Sequence, residues 1–186
     1  MKRRSAIKNT VFVLGGVLSA STISTVFQNC VAPDPEIGWK PSFFSVEQGQ
    51  IIEKIADILI PATDTPGAVD ALVPQFVDLV VKKLIPEDDQ KQLLEGFTAF
   101  EAGCNEANGQ SFLDCSAEQQ LSFLQAEEKS FIESSTPSFF GAMKEMIYRG
   151  FFNSEAGATE VLKFDPVPGN YDGCVPFSEI NGAWAT

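Results

Sequence analysis

The stretch Ser45-Val46-Glu47-Gln48-Gly49-Gln50-Ile51-Ile52-Glu53-Lys54-Ile55-Ala56-Asp57-Ile58-Leu59-Ile60-Pro61 decides the fold. Ser45 and Gln48 have the spacing of a capping box, in which each side chain accepts from the other's backbone N–H. Ile51, Ile52, Ile55, Ile58 and Leu59 recur at helical spacing and make one apolar face. Pro61 cannot continue the ladder and ends the helix.

Working outward, the same signals recur downstream. Pro74 suits the first turn of a second helix carrying Phe76, Val77, Leu79, Val80 and Leu84. Pro86 opens a third, whose N-terminal dipole is complemented by Glu87, Asp88 and Asp89. Its apolar set is Leu93, Leu94, Phe97 and Phe100. Ser116 and Gln119 form another capping box, ahead of Leu121, Phe123 and Leu124. Thr136 is placed to cap a further helix, with Pro137 in its first turn and Phe139, Phe140, Met143, Met146, Ile147, Phe151 and Phe152 along it. Ser154 starts a short helix over 155–162.

The flanks read differently. Residues 31–44, with Pro33, Pro35, Gly38 and Pro41, predict an extended linker. From Phe164 onward, Pro166, Pro168, Gly169, Gly173 and Pro176 oppose regular structure, and such a tail wraps its own domain or a partner. No alternating strand pattern and no internal repeat is present. The expectation is all-α: one domain over 45–186, of five or six helices, with an irregular tail over 164–186.

Upstream, residues 1–30 form a leader. Arg3 and Arg4 precede Ser5-Ala6-Ile7-Lys8, and then a mild apolar run from Val11 to Phe27. Paired arginines before a weak apolar segment match the twin-arginine export address, which carries folded proteins. An ordinary secretory signal is the alternative. Ser19-Ala20 offers small residues for cleavage, Cys30 is a possible lipidation point, and retention as an uncleaved anchor is a third outcome.

Charge narrows the partners. The chain has 13 Lys+Arg and 25 Asp+Glu. Without the four leader bases, nine basic residues face 25 acids, a net charge of −16. Such a surface repels nucleic acid and opposes a polybasic membrane patch. No histidine occurs anywhere, which excludes His-based acid–base catalysis and His-ligated metals. The 16 phenylalanines serve a core, an interface, or both.

Of the cysteines Cys30, Cys104, Cys115 and Cys174, none forms C-x-x-C. In an oxidising compartment Cys104 and Cys115 are the natural disulfide, across a polar, turn-rich stretch from Asn105 to Gln110; buried free thiols are the alternative. Asp64 reads as a turn carboxylate bonding its own backbone. Glu155, Asp165 and Asp172 lack any calcium-loop spacing. Glu87, Asp88, Asp89, Glu127 and Glu128 read as a solvated face. No glycine-rich nucleotide motif follows a strand.

Three segments carry a resemblance. They are Pro61-Ala62-Thr63-Asp64-Thr65-Pro66-Gly67-Ala68 with Val73-Pro74, then Gly150 to Thr159, then Phe164 to Cys174. With the leader, they resemble the gluconate 2-dehydrogenase subunit 3 family, with Phe151 and Phe152 where members usually carry Tyr. The resemblance implies a non-catalytic small (gamma) subunit that binds no cofactor itself. Its implied partner is a large flavoprotein of the glucose–methanol–choline oxidoreductase type holding FAD, with electrons leaving through a haem-c subunit. It also implies a periplasmic, membrane-associated complex in which the small subunit carries the export address. The expected partner interface comprises Pro61, Thr63, Asp64, Thr65, Pro66 and Gly67 in the loop. In the tail it comprises Pro166, Pro168, Gly169, Tyr171, Asp172 and Trp184. The other readings are a stand-alone exported binding protein with a Phe-lined pocket, and a small enzyme using Asp64 with Asp172.

Overall fold

Helix-forming segments separated by proline and glycine give five α-helices and one π-helical turn among the described residues, and no strand. The computed structural model describes residues 38–134, 137–167, 169, 174–176, 178 and 182–185. The helices are α1 (Val46–Leu59), α2 (Val73–Leu84), α3 (Glu87–Asn108), α4 (Ala117–Ser134) and α5 (Phe139–Phe152); the π turn is Gly157–Val161. The all-α expectation holds. The leader, 1–30, lies outside the described residues.

The predicted caps form. At Ser45 the Oγ accepts from the Gln48 amide at 3.1 Å and Gln48 Oε1 accepts from the Ser45 amide at 3.0 Å. The Ser116–Gln119 box repeats this at 3.3 and 3.0 Å. The cap of α5 differs from the expectation: Ser138 accepts from the Gly141 amide, so Pro137 precedes the helix instead of opening it. Thr136 lies outside the described residues.

Helix α5 packs against each of the other four. It can do so because it is apolar on more than one side, burying Phe139, Phe140, Met143, Ile147 and Phe151 together with Gly141 and Gly150. At Gly150 a methyl group would sit 2.7 Å from the Phe76 ring and 3.1 Å from Val73, so only glycine lets α2 approach this closely. The phenylalanines fill the core. Phe97 meets Phe139 at 4.7 Å between centroids, and Phe100 meets Phe123, Phe139 and Phe112 at 5.1, 5.2 and 5.4 Å. Each such pair contributes roughly 0.5–1.5 kcal/mol beyond its buried area. These five rings pack on one another, whereas Phe76, Phe152 and Phe164 are exposed.

Helix α2 turns its valines inward. Val73, Val77 and Val81 are fully buried, while Phe76, Leu79 and Leu84 of the expected apolar set are exposed. Its C-terminal carbonyls are satisfied from α3: Gln90 Nε2 donates to Val81 O at 2.8 Å and to Ile85 O at 2.9 Å.

The extended segment ahead of α1 is packed over residues 38–44. Phe44 is buried in the core, and Trp39 Nε1 donates to Glu53 at 3.0 Å. The anchor is Asp78, only 3% exposed. Its carboxylate accepts from the Ser42 amide (2.8 Å), Ser42 Oγ (2.6 Å), and the Phe43 and Phe44 amides (3.0 Å each). Lys82 Nζ adds a bond to Ser42 O.

Candidate functional site

The loop between α1 and α2 is built from its own backbone. Proline stops α1, and the chain is folded back when the Ala68 amide donates to Ile60 O at 2.9 Å. Ala71 then bonds Gly67 O, Leu72 bonds Val69 O, and Val73 bonds Ala68 O. Asp70, rather than Asp64, supplies the turn carboxylate: its Oδ2 accepts from the Gly67 amide at 3.0 Å. Gly67 is obligatory on steric grounds, since a Cβ there would lie 2.6 Å from Ala62 N and 2.9 Å from Ile60 O.

The loop therefore has two parts. Gly67 and Ala68 are buried and brace the α1–α2 junction; Thr65 and Pro66 are half-buried. Pro61, Ala62, Thr63 and Asp64 are exposed at the tip. It ends on Leu72, the N-cap of α2, which adopts φ 57°, ψ 29° and is 60% exposed. Left-handed backbone at a non-glycine residue costs about 1–3 kcal/mol, and the loop's own bonds, from the Leu72 amide to Val69 O and from the Val73 amide to Ala68 O, hold it there.

In the tail, Phe164, Asp165, Pro166, Val167 and Gly169 are exposed, and Asp165 Oδ1 accepts from the Val167 amide at 3.1 Å. Pro168, Tyr171 and Asp172 lie outside the described residues, as do Arg3, Arg4 and Cys30. Trp184 is partly engaged within the chain. Residues 183–185 return to Lys163 through amide bonds of 2.7 and 3.0 Å, and Lys163 Nζ sits 4.1 Å from the Trp184 ring centroid. The bonds that hold the tail run to Lys163, whereas those that hold the loop run to Ile60 and within the loop.

Cys104 and Cys115 meet, though by a different route from the one expected. Residues 105–108 belong to α3, and the turn begins only at Gly109, whose φ is 75°. The two sulfurs lie 3.8 Å apart as buried thiols, with Asn108 Nδ2 at 3.6 Å from Cys104 Sγ. Burial pushes the Cys104 thiol up to about 11, aided by Cys115 and Glu101 and opposed by Asn108.

Electrostatics departs from the expectation at one face. Glu87, Asp88 and Asp89 are exposed, but Glu127 and Glu128 are half-buried. Burial raises Glu127, and Glu128 pairs with Lys144 of α5. On α3, Glu101 is raised by burial and by Glu47. Burial acts to raise Asp78 as well, but the Ser42 hydroxyl and the amides of Phe44, Phe43 and Ser42 outweigh it, and the carboxyl lies below its ordinary value. The role of Asp78 is invisible along the chain because its partners sit 34–36 residues away.

Among the described residues, no three Cys, Asp or Glu converge to hold a metal ion, and no helix is long and apolar enough to cross a membrane. The family described as gluconate 2-dehydrogenase subunit 3 matches residues 46–169, which spans α1 through the start of the tail. No curated protein and no solved structure gives a significant match.

Proposed function

From the premise that this chain belongs to the gluconate 2-dehydrogenase subunit 3 family, we propose that it is the non-catalytic small subunit of a periplasmic, flavin-dependent sugar or sugar-acid dehydrogenase complex. It assists folding of the large catalytic flavoprotein and carries it through the twin-arginine route. FAD resides in that large subunit, and a haem-c subunit accepts the electrons. The family match across the helical body carries this reading.

Two features of the chain support it. Arg3 and Arg4 head a leader of the kind that exports folded cargo, and no histidine is available for the proton transfers of sugar oxidation. The exposed loop tip at Pro61, Thr63 and Asp64, and the exposed tail residues Pro166 and Gly169, are offered as contacts to the large subunit. Thr65, Pro66 and Gly67 act from behind by holding that tip. A Cys104–Cys115 disulfide forms once the chain leaves the cytoplasm.

The test is export of the pair. With Arg3→Lys and Arg4→Lys together, dehydrogenase activity and flavoprotein antigen stay in the cytoplasmic fraction. Undiminished activity in the periplasmic or membrane fraction of that double variant refutes the carrier role.

A further inference from the structure

Helix α2 presents an apolar stripe that the described residues leave partly uncovered, with Phe76 also packed over Gly150 of α5. Leu72, Phe76, Leu79 and Lys83 follow one another at i, i+4, i+7 and i+11, so they share a face. Leu72 is 60% exposed, Phe76 43% and Leu79 52%. Together they expose on the order of 300 Å², in the range of the largest apolar patch on a typical monomer, which is often functional. The opposite face, Val73, Val77 and Val81, already serves the core, so the stripe is a second apolar face.

Charge tells what kind of surface covers it. Nearly every helix of this acidic chain shows exposed acids, but α2 shows none: its one acid, Asp78, is buried. The C-terminal end of the stripe instead carries Lys82 and Lys83, and Lys82 reaches Ser42 O beside the exposed Lys40. A second copy would bring together two strongly acidic bodies, each of net charge −12 over the full sequence. A different chain, with an apolar contact face bordered by acids, matches both features.

Leu72 adds an independent observation. It is the one non-glycine residue with positive φ among the described residues, and it holds a large apolar side chain out at the head of the stripe. Glycine would fit that backbone without strain. The loop that sets Leu72 is the one that ends α1, through the Val73 amide on Ala68 O.

Resting on the accessory-subunit reading above, we infer that the α2 stripe, headed by Leu72 and closed by Lys83, is the docking face for the large dehydrogenase subunit. That subunit meets it with an apolar patch rimmed by carboxylates. The stripe is the anchor, and the loop tip at 61–64 lies at its edge.

The experiment uses the full chain co-expressed with the proposed large flavoprotein subunit, with affinity read by co-purification and by titration of the purified subunits. Leu79→Glu lowers affinity at least tenfold while circular dichroism stays unchanged. Lys83→Glu weakens binding at low salt, and the loss shrinks as salt rises. Leu72→Gly lowers affinity several-fold while Tm stays equal or rises, an outcome that loss of folding cannot produce. This variant decides the matter should Leu79→Glu fail to fold. Wild-type affinity in both Leu79→Glu and Leu72→Gly overturns the face yet leaves the accessory role standing. An unmodified chain that does not associate with the dehydrogenase overturns both. A Leu79-dependent dimer of the chain alone, by sedimentation, assigns the stripe to a second copy and overturns the inference.

Discussion

Asp78→Asn tests how the strap at 38–44 is held. The substitution keeps the shape and removes the charge. In the wild type, Oδ2 takes the Ser42 amide and hydroxyl, and Oδ1 takes the amides of Phe43 and Phe44. Asparagine offers one acceptor oxygen. If that oxygen keeps Phe43 and Phe44, the new NH2 faces the Ser42 amide, donor against donor. The Ser42 hydroxyl can turn to accept, but its amide loses its partner. An orphaned donor costs about 1–3 kcal/mol when buried, and the exposure of Ser42 to water keeps this one near the low end, about 1 kcal/mol. Loss of charge from the two surviving amide bonds adds about 1 kcal/mol, since charge-assisted bonds are roughly twice as strong as neutral ones. The expected loss is about 2 kcal/mol, a Tm drop of roughly 4–8 °C for a domain of this size. Urea denaturation followed at 222 nm measures it.

The pH dependence has a definite sign. The folded carboxyl lies below its ordinary value of 3.8, so its contribution is fully present above that value and is lost as pH falls through the folded value. The gap between wild type and Asp78→Asn is therefore constant from about pH 7 to pH 5 and narrows as pH falls below 3.8. Ser42→Ala, which removes one of the four donors, costs less than Asp78→Asn over the same range. A gap under about 0.5 kcal/mol at pH 7, or one that is the same at pH 3 and pH 7, refutes the argument that this carboxylate pins the strap.

Three other outcomes follow from local geometry. Gly67→Ala forces a methyl against Ala62 N and Ile60 O, backbone atoms that cannot step aside, and lowers stability by about 1–3 kcal/mol in urea titration; a change within 0.5 kcal/mol means the loop relaxes freely. Exported chain carries Cys104 linked to Cys115, seen in unreduced peptide maps, and reduction lowers stability by roughly 2–4 kcal/mol. In the reduced folded protein, with Cys104 pushed from 9.0 to about 11, alkylation of Cys104 at pH 7 is about a hundredfold slower than in urea. Equal rates in the two conditions, or free thiols in exported chain, contradict the respective claims.

Much of this molecule is local and so could be read along the chain. The Ser45–Gln48 and Ser116–Gln119 caps, the proline stop at Pro61, the proline at Pro86 that opens α3, and the apolar run from Phe139 to Phe152 each act over a few residues. They fix the number and type of helices whatever surrounds them. The family match spans 46–169, and within it Gly67 and Gly150 stand where a backbone or a helix approaches too closely for a larger residue.

The rotation of α2 is another matter. Val73, Val77 and Val81 form one apolar stripe and Leu72, Phe76 and Leu79 a second, and periodicity alone cannot say which is buried. The structure decides it through contacts distant in sequence. Asp78 needs the amides of Ser42 to Phe44, and Phe76 must lie over Gly150 of α5, and both hold only when the valines face inward. The meeting of Cys104 with Cys115 depended likewise on α3 running on to Asn108, past the turn expected from polar residues. Sequence by itself determined which segments become helices, because caps and stops act within one turn. Only the tertiary structure determined which helical faces remain exposed for a partner, because burial is settled by residues that are far apart along the chain.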